Sequence, residues 1–228
     1  MGLPQSSFLV NFKVAPETAG EDGRSIVDAI ERVRADTGAR FAVAPHLPDL
    51  RWIAEQTPLP VVAQTATPRE RAGLGGATLE GVADAGVDAA FLTHPERDAG
   101  LADIGRAVDR CRELGLESIV WAPDRETANA ALTFDPDWLL FERPADIAAD
   151  DGLLRTEPAR LERVVAMVDD ENPRTSVFVG GGIRTAADVA RAFEYGADAT
   201  GAASALLEAD DRAAWLRSIA TAVPSADE

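Results

Sequence analysis

The sequence predicts a single (β/α)8 barrel spanning residues 1–228, with a short polar tail after about residue 223. Three observations carry that expectation. The chain has 228 residues, a size at which α/β barrels stay one undivided domain. Short apolar runs alternate with longer amphipathic segments, which is the pattern of repeated βα units on a parallel sheet. The scarcest polar residue types fall directly after the apolar runs, where a barrel of this kind carries its chemistry.

The predicted strands, in order, are FLVNF (8–12), FAVAP (41–45), PVVAQ (60–64), AAFLT (89–93), SIVWA (118–122), WLLFE (138–142), SVFVG (176–180) and DATGA (198–202). Parallel strands covered on both faces read as near-continuous hydrophobic runs. The first seven do so, and the eighth is the weakest. Helical spacing lies between them. In residues 25–38, Ile26, Ile30 and Val33 fall at i, i+4 and i+7, and Gly38 follows as a C-cap. Residues 101–115 repeat the design with Ile104, Val108 and Cys111, closing on Gly115. Residues 185–196 open on Thr185 as N-cap and close on Gly196. Cys111 therefore reads as a core residue on a helix. A doubly wound open sheet is the architectural alternative, but it would place a Gly-rich phosphate loop after strand one. Here Lys13-Val14-Ala15-Pro16-Glu17 stands in that place.

Composition narrows the function classes. A formal net charge of −17 repels nucleic acid and anionic lipid, so neither is expected as a partner. No apolar stretch approaches the roughly 20 residues of a membrane span, and the N-terminus lacks the basic start and apolar run of a secretory signal. One cysteine rules out an internal disulfide framework and fits a reducing cytoplasm. Of the 22 Lys and Arg residues, 21 are Arg and one is Lys. High Asp and Glu with almost no Lys is the look of a protein adapted to high salt; a coding bias toward Arg and Ala is the other source of such a composition.

That single lysine is Lys13, just after the first apolar run. The strand ends together carry Asn11, Lys13, His46, Gln64, His94, Glu96, Trp121, Glu142, Gly180-Gly181-Gly182 and Ser204. Both histidines and the only lysine are among them, which marks one rim as a site. Glu142 closes a strongly apolar strand, a costly place for a carboxylate that has no task.

Five of these motifs, in order and spacing, resemble the triosephosphate isomerase family, most closely its short archaeal-type branch. They are Asn11-Phe12-Lys13, Ala44-Pro45, Ala63-Gln64, His94-Pro95-Glu96 and Glu142, and the likeness runs over roughly residues 8 to 210. The resemblance implies an aldose–ketose isomerase of glycolysis and gluconeogenesis, built on the TIM barrel and acting on glyceraldehyde 3-phosphate and dihydroxyacetone phosphate. It implies Glu142 as the base that moves a proton between carbons, and His94 as the neutral imidazole that polarises the carbonyl. Lys13 is implied as the cation beside the enediolate. Asn11 would hold Lys13 and the substrate, and Glu96 would support His94. Gly180, Gly181, Gly182 and Ser204 would grip the phosphate through backbone N–H groups. Proton transfer of this kind needs no cofactor, and two histidines at separate strand ends make a poor metal set. The family is typically dimeric or tetrameric through the loop after strand three, here residues 65–78.

The pattern also departs from the family. The lid after strand six reads Glu142-Arg143-Pro144-Ala145-Asp146-Ile147-Ala148-Ala149-Asp150, with Ala148 in place of the first lid glycine. Ala205 replaces a strand-eight glycine. Gly73 to Thr78 matches the strand-three motif only loosely, and Trp121-Ala122-Pro123-Asp124 replaces a usual Cys-containing segment. A paralogue acting on another aldose or ketose is therefore the competing expectation. A Schiff-base barrel using Lys13, a phosphate-binding barrel of amino-acid biosynthesis and a non-catalytic paralogue stand further off. For His46 a hydrogen-bonded structural role is expected. For Trp121, rim packing and a substrate wall both remain open.

Overall fold

In the computed structural model, residues 2–67, 76–96, 99–147 and 151–224 are described. Eight strands form one parallel sheet: β1 (Ser7–Asn11), β2 (Arg40–Ala44), β3 (Val62–Ala63), β4 (Ala89–Phe91), β5 (Glu117–Ala122), β6 (Trp138–Phe141), β7 (Ser176–Val179) and β8 (Ala199–Ala202). Their order is β2-β1-β8-β7-β6-β5-β4-β3. A parallel bridge between Val43 and Val61 joins the two ends, so the sheet rolls up into a nearly closed (β/α)8 barrel.

Strand alternation explains the two cores. In β1, Phe8 and Val10 belong to the cluster between sheet and helices, whereas Leu9 points into the barrel with Ala42, Val62, Phe91, Trp138, Leu140 and Phe178. Large and small residues interleave inside, and the Phe91 and Phe178 rings lie 6.4 Å apart. The weak apolar signal of β8 has a steric cause. A Cβ on Gly201 would stand 2.4 Å from the Leu9 carbonyl oxygen, so this position of β8 has no room for a side chain. Leu3 joins the interior cluster from below, its N–H donating to Glu117 Oε2 at 2.8 Å, where Trp138 Nε1 also donates.

The helices are α1 (Gly20–Thr37), α2 (Leu50–Ala54), α3 (Leu79–Asp84), α4 (Leu101–Leu114), α5 (Arg125–Leu132), α6 (Leu153–Thr156), α7 (Ala159–Glu171), α8 (Ala186–Glu194), α9 (Ser204–Leu207) and α10 (Arg212–Ala220). Helix α1 starts five residues before the predicted Ser25. Its first turn is polar, with Glu21 and Asp22 favourably placed at the positive helix end, and so gives no hydrophobic periodicity to read. Gly38 and Gly115 cap α1 and α4 in the left-handed conformation. Helix α8 opens with a capping box of Thr185 and Asp188 and closes on Tyr195, with left-handed Gly196 one residue beyond. Among the described residues no helix is long and apolar enough to cross a membrane. The lid residues Ala148, Ala149 and Asp150, residues 68–75 of the loop after β3 and residues 225–228 of the tail lie outside the described residues.

Candidate active site

The C-terminal ends of the strands surround a cavity of about 520 Å³, lined by Asn11, Lys13, His94, Glu96, Glu142, Gly180, Gly181, Gly182 and Ser204 among others. Every candidate site residue read from the sequence thus borders one space. His46 and Trp121 do not line it.

Lys13 sits at the end of β1 with φ of 52°, a left-handed backbone that is uncommon for a residue with a side chain. Two side chains hold it there. Asn11 Oδ1 accepts the Lys13 N–H at 2.9 Å. Gln64 Nε2 donates to the Lys13 carbonyl at 3.0 Å and to the Ala44 carbonyl at 2.9 Å, tying the first three strand ends together. The turn after Lys13 is pinned by His46, whose Nε2 accepts the Ala15 N–H at 3.2 Å and lies 2.8 Å from the Thr18 hydroxyl. The Lys13 ammonium reaches across the cavity mouth to Glu96 Oε1 at 3.5 Å.

His94 and Glu142 form the centre. His94 Nε2 lies 3.4 Å from Glu142 Oε2. The Glu96 backbone N–H donates to His94 Nδ1 at 3.3 Å, so Nδ1 presents a lone pair and the ring proton belongs on Nε2. The Glu96 carboxylate is 3.8 Å from the same Nδ1, which would be an ion pair only with a charged ring. Glu142 Oε2 is buried and has no hydrogen-bond partner among the described residues, although a buried carboxylate oxygen left unpaired is costly.

The backbone of Glu142 is fixed by Trp121, whose indole N–H donates to the Glu142 carbonyl at 2.8 Å. The Trp121 N–H in turn donates to Thr93 Oγ1 at 2.9 Å. Trp121 is therefore a strut behind the carboxylate. Gly180 is required by proximity, because a Cβ there would stand 2.7 Å from Glu142 Oε1.

Arg143, which the sequence shows only as added charge on the lid, turns inward. It makes paired hydrogen bonds of 2.7 Å to both oxygens of Asp146, which is 1% exposed, and one of 2.7 Å to Glu157. The hydrogen bonds that Arg143 donates to Asp146 raise the guanidinium pKa above its ordinary value, against the opposing effect of burial. Behind the glycine loop, Arg155 grips Asp188 at 2.7 and 2.6 Å. Burial alone would raise the Asp188 pKa, but Arg155, the Thr185 hydroxyl and the Arg184 and Thr185 N–H groups outweigh it and hold it at about 2.

Arg184, absent from the sequence-derived set, also lines the cavity, and its guanidinium lies 2.5 Å from Glu208 Oε2. Nothing in its local sequence singles it out among 21 arginines. Among the described residues no three His, Cys, Asp or Glu side chains come together as a metal-holding group.

A family model described as triosephosphate isomerase matches residues 7–135. Curated proteins named triosephosphate isomerase match nearly end to end. That of Methanothermus fervidus is 32% identical over 214 residues, covering 93% of this chain and 96% of its own. That of Caldivirga maquilingensis is 33% identical over 213 residues, covering 93% and 95%. That of Methanocaldococcus jannaschii is 31% identical over 202 residues, covering 88% and 92%.

Proposed function

Because the chain belongs to the triosephosphate isomerase family, we propose that it interconverts glyceraldehyde 3-phosphate and dihydroxyacetone phosphate, with Glu142 carrying the proton between the two carbons. The observation that supports this best is the pairing of a buried carboxylate oxygen without a hydrogen-bond partner among the described residues, Glu142 Oε2, with an imidazole Nε2 only 3.4 Å away. Both border the same cavity.

The mechanism follows from that geometry. Glu142 Oε2 takes the proton from the carbon beside the carbonyl, and the freed electron pair moves onto the carbonyl oxygen to give an enediolate. His94, neutral with its proton on Nε2, hydrogen-bonds that oxygen and relays a proton between the two oxygens. Lys13 places a positive charge beside the developing anion, where low dielectric strengthens it. Its backbone, held by Asn11 and Gln64, brings the ammonium to the rim ready-placed. Glu142 then returns its proton to the neighbouring carbon. Gly180, Gly181, Gly182 and Ser204, from the β7 and β8 loops, receive the phosphate. Glu96 keeps His94 in its working tautomer through its backbone N–H. No organic cofactor or metal has a place in this scheme.

Three further parts complete the reading. The chain works in the cytoplasm, which the lone buried thiol of Cys111 supports. It associates as a homodimer or homotetramer, with Val14 and Leu101, 85% and 60% exposed, as apolar side chains that such an interface would cover. Its acidic surface suits concentrated salt, and its place is in glycolysis and gluconeogenesis.

A coupled assay for conversion of glyceraldehyde 3-phosphate to dihydroxyacetone phosphate, in dilute and in multimolar salt, tests the reading. Fast turnover that disappears in Glu142→Gln is expected. A folded protein with no turnover in either buffer would remove triose phosphate as the substrate.

A further inference from the structure

Beyond the residues already assigned, one cation in the cavity has no role. Arg184 lines the space together with the glycine loop and Ser204, and its side chain is 28% exposed. Its backbone is fixed on both sides: the N–H donates to Asp188 Oδ2 at 3.1 Å and the carbonyl accepts from Trp215 Nε1 at 2.9 Å. The guanidinium spans from the β7 loop to the end of α9, against the Glu208 carboxylate at 2.5 Å.

Sheet order gives this position its meaning. Strand β8 lies between β1 and β7, so the loop after β8 has Lys13 on one side and Arg184 on the other. Among the described residues lining the cavity, Lys13 and Arg184 are the lysine and arginine present, against the carboxylates of Glu96 and Glu142. A dianionic phosphate entering a chain of net charge −17 needs local positive charge. The lysine is engaged at the reacting end, 3.5 Å from Glu96. An arginine fork is suited to the other end, since its planar donors match carboxylate and phosphate oxygens alike. Glu208 already holds one arm of that fork, Nη2 on its Oε2 at 2.5 Å.

We propose that Arg184 is a phosphate-positioning residue, exchanging Glu208 for the phosphate of the bound substrate and so bracketing the β8 loop with Lys13. The proposal rests on the triose phosphate reading above and deepens it. Glu208 then acts as a competing anion: it keeps the guanidinium in place when the site is vacant and weakens its hold on phosphate.

The test compares wild type, Arg184→Gln and Glu208→Gln. The readouts are kcat and KM with glyceraldehyde 3-phosphate, kcat/KM with unphosphorylated glyceraldehyde, and the shift in Tm caused by inorganic phosphate. Arg184→Gln is expected to raise KM for the phosphorylated substrate about tenfold, to leave glyceraldehyde unaffected, and to shrink the phosphate-induced shift in Tm. Glu208→Gln is expected to move KM in the opposite direction. Arg184→Lys, which keeps the charge without the fork, should recover part of the loss. An unchanged KM in Arg184→Gln, an equal loss on both substrates, or weakening by both variants alike would overturn the proposal, the last two marking a strut between loops. An inactive wild type would overturn the isomerase reading instead. Phosphate would still report on Arg184 there, with equal shifts in Tm for wild type and Arg184→Gln counting against it.

Discussion

The carboxylate of Glu142 is placed from three directions, by Trp121 on its carbonyl, by His94 beside Oε2 and by Gly180 against Oε1. Shortening the side chain by one methylene withdraws the carboxylate proposed as the base and leaves the proposed phosphate end undisturbed. Glu142→Asp should therefore lower kcat by about 100-fold or more, the loss expected of a misplacement near 1 Å, with little change in KM. Steady-state kinetics in the coupled assay checks this, and near wild-type turnover would remove Glu142 as the base. Residues such as Lys13, His94 and Glu142 were legible in the sequence because their types are rare, or costly, at strand ends. Arg184 was not, because an arginine carries no compositional signal in a chain that has 21 of them. The task of Gln64 was hidden for another reason. Its two carbonyl partners, 51 and 20 residues away in sequence, become neighbours only when the barrel closes.

At the level of elements, the segment on either side of the lid is anchored from below. Arg143 joins Asp146, in the first half of the lid, to Glu157, after it. Gly152 packs so closely on the glycine loop that a Cβ would stand 2.6 Å from the Gly181 carbonyl. Gly180→Ala should consequently displace the Glu142 carboxylate and lower kcat by roughly tenfold or more; full activity in the alanine variant would show that the loop yields instead. Helix α8 is tied to the segment after the lid through Arg155 and Asp188. The Asp188 pKa is depressed from 3.8 to about 2, so its contribution is fully present above about pH 4 and is lost as pH falls toward 2. The amount is on the order of 2 kcal/mol. Melting temperature measured from pH 5 to pH 2 should fall less steeply in Asp188→Asn than in wild type; parallel curves would contradict the assignment. Strand positions, the weak β8 included, and apolar helix faces were readable in the sequence, whereas the polar first turn of α1 was not. Glu21 and Asp22 there answer to the helix dipole and not to the core.

For the molecule as a whole, a surface of net charge −17 repels itself, and salt screens that repulsion over distances of about 10 Å at 0.1 M and about 3 Å at 1 M. Melting temperature should accordingly rise by several degrees between 0.1 M and 2 M potassium chloride, and a flat or falling curve would separate the composition from salt adaptation. The barrel itself was legible from chain length and alternation, because eight buried parallel strands impose a pattern few other folds share. The single lysine has one more consequence. The proposed substrate is an aldehyde, and aldehydes condense with unprotonated primary amines. Arginine, permanently protonated at physiological pH, offers them no such nucleophile. On the proposed reading, a catalyst working among aldehydes keeps its one side-chain amine at the cavity, and every other basic side chain it presents to them, the two histidines apart, is a guanidinium.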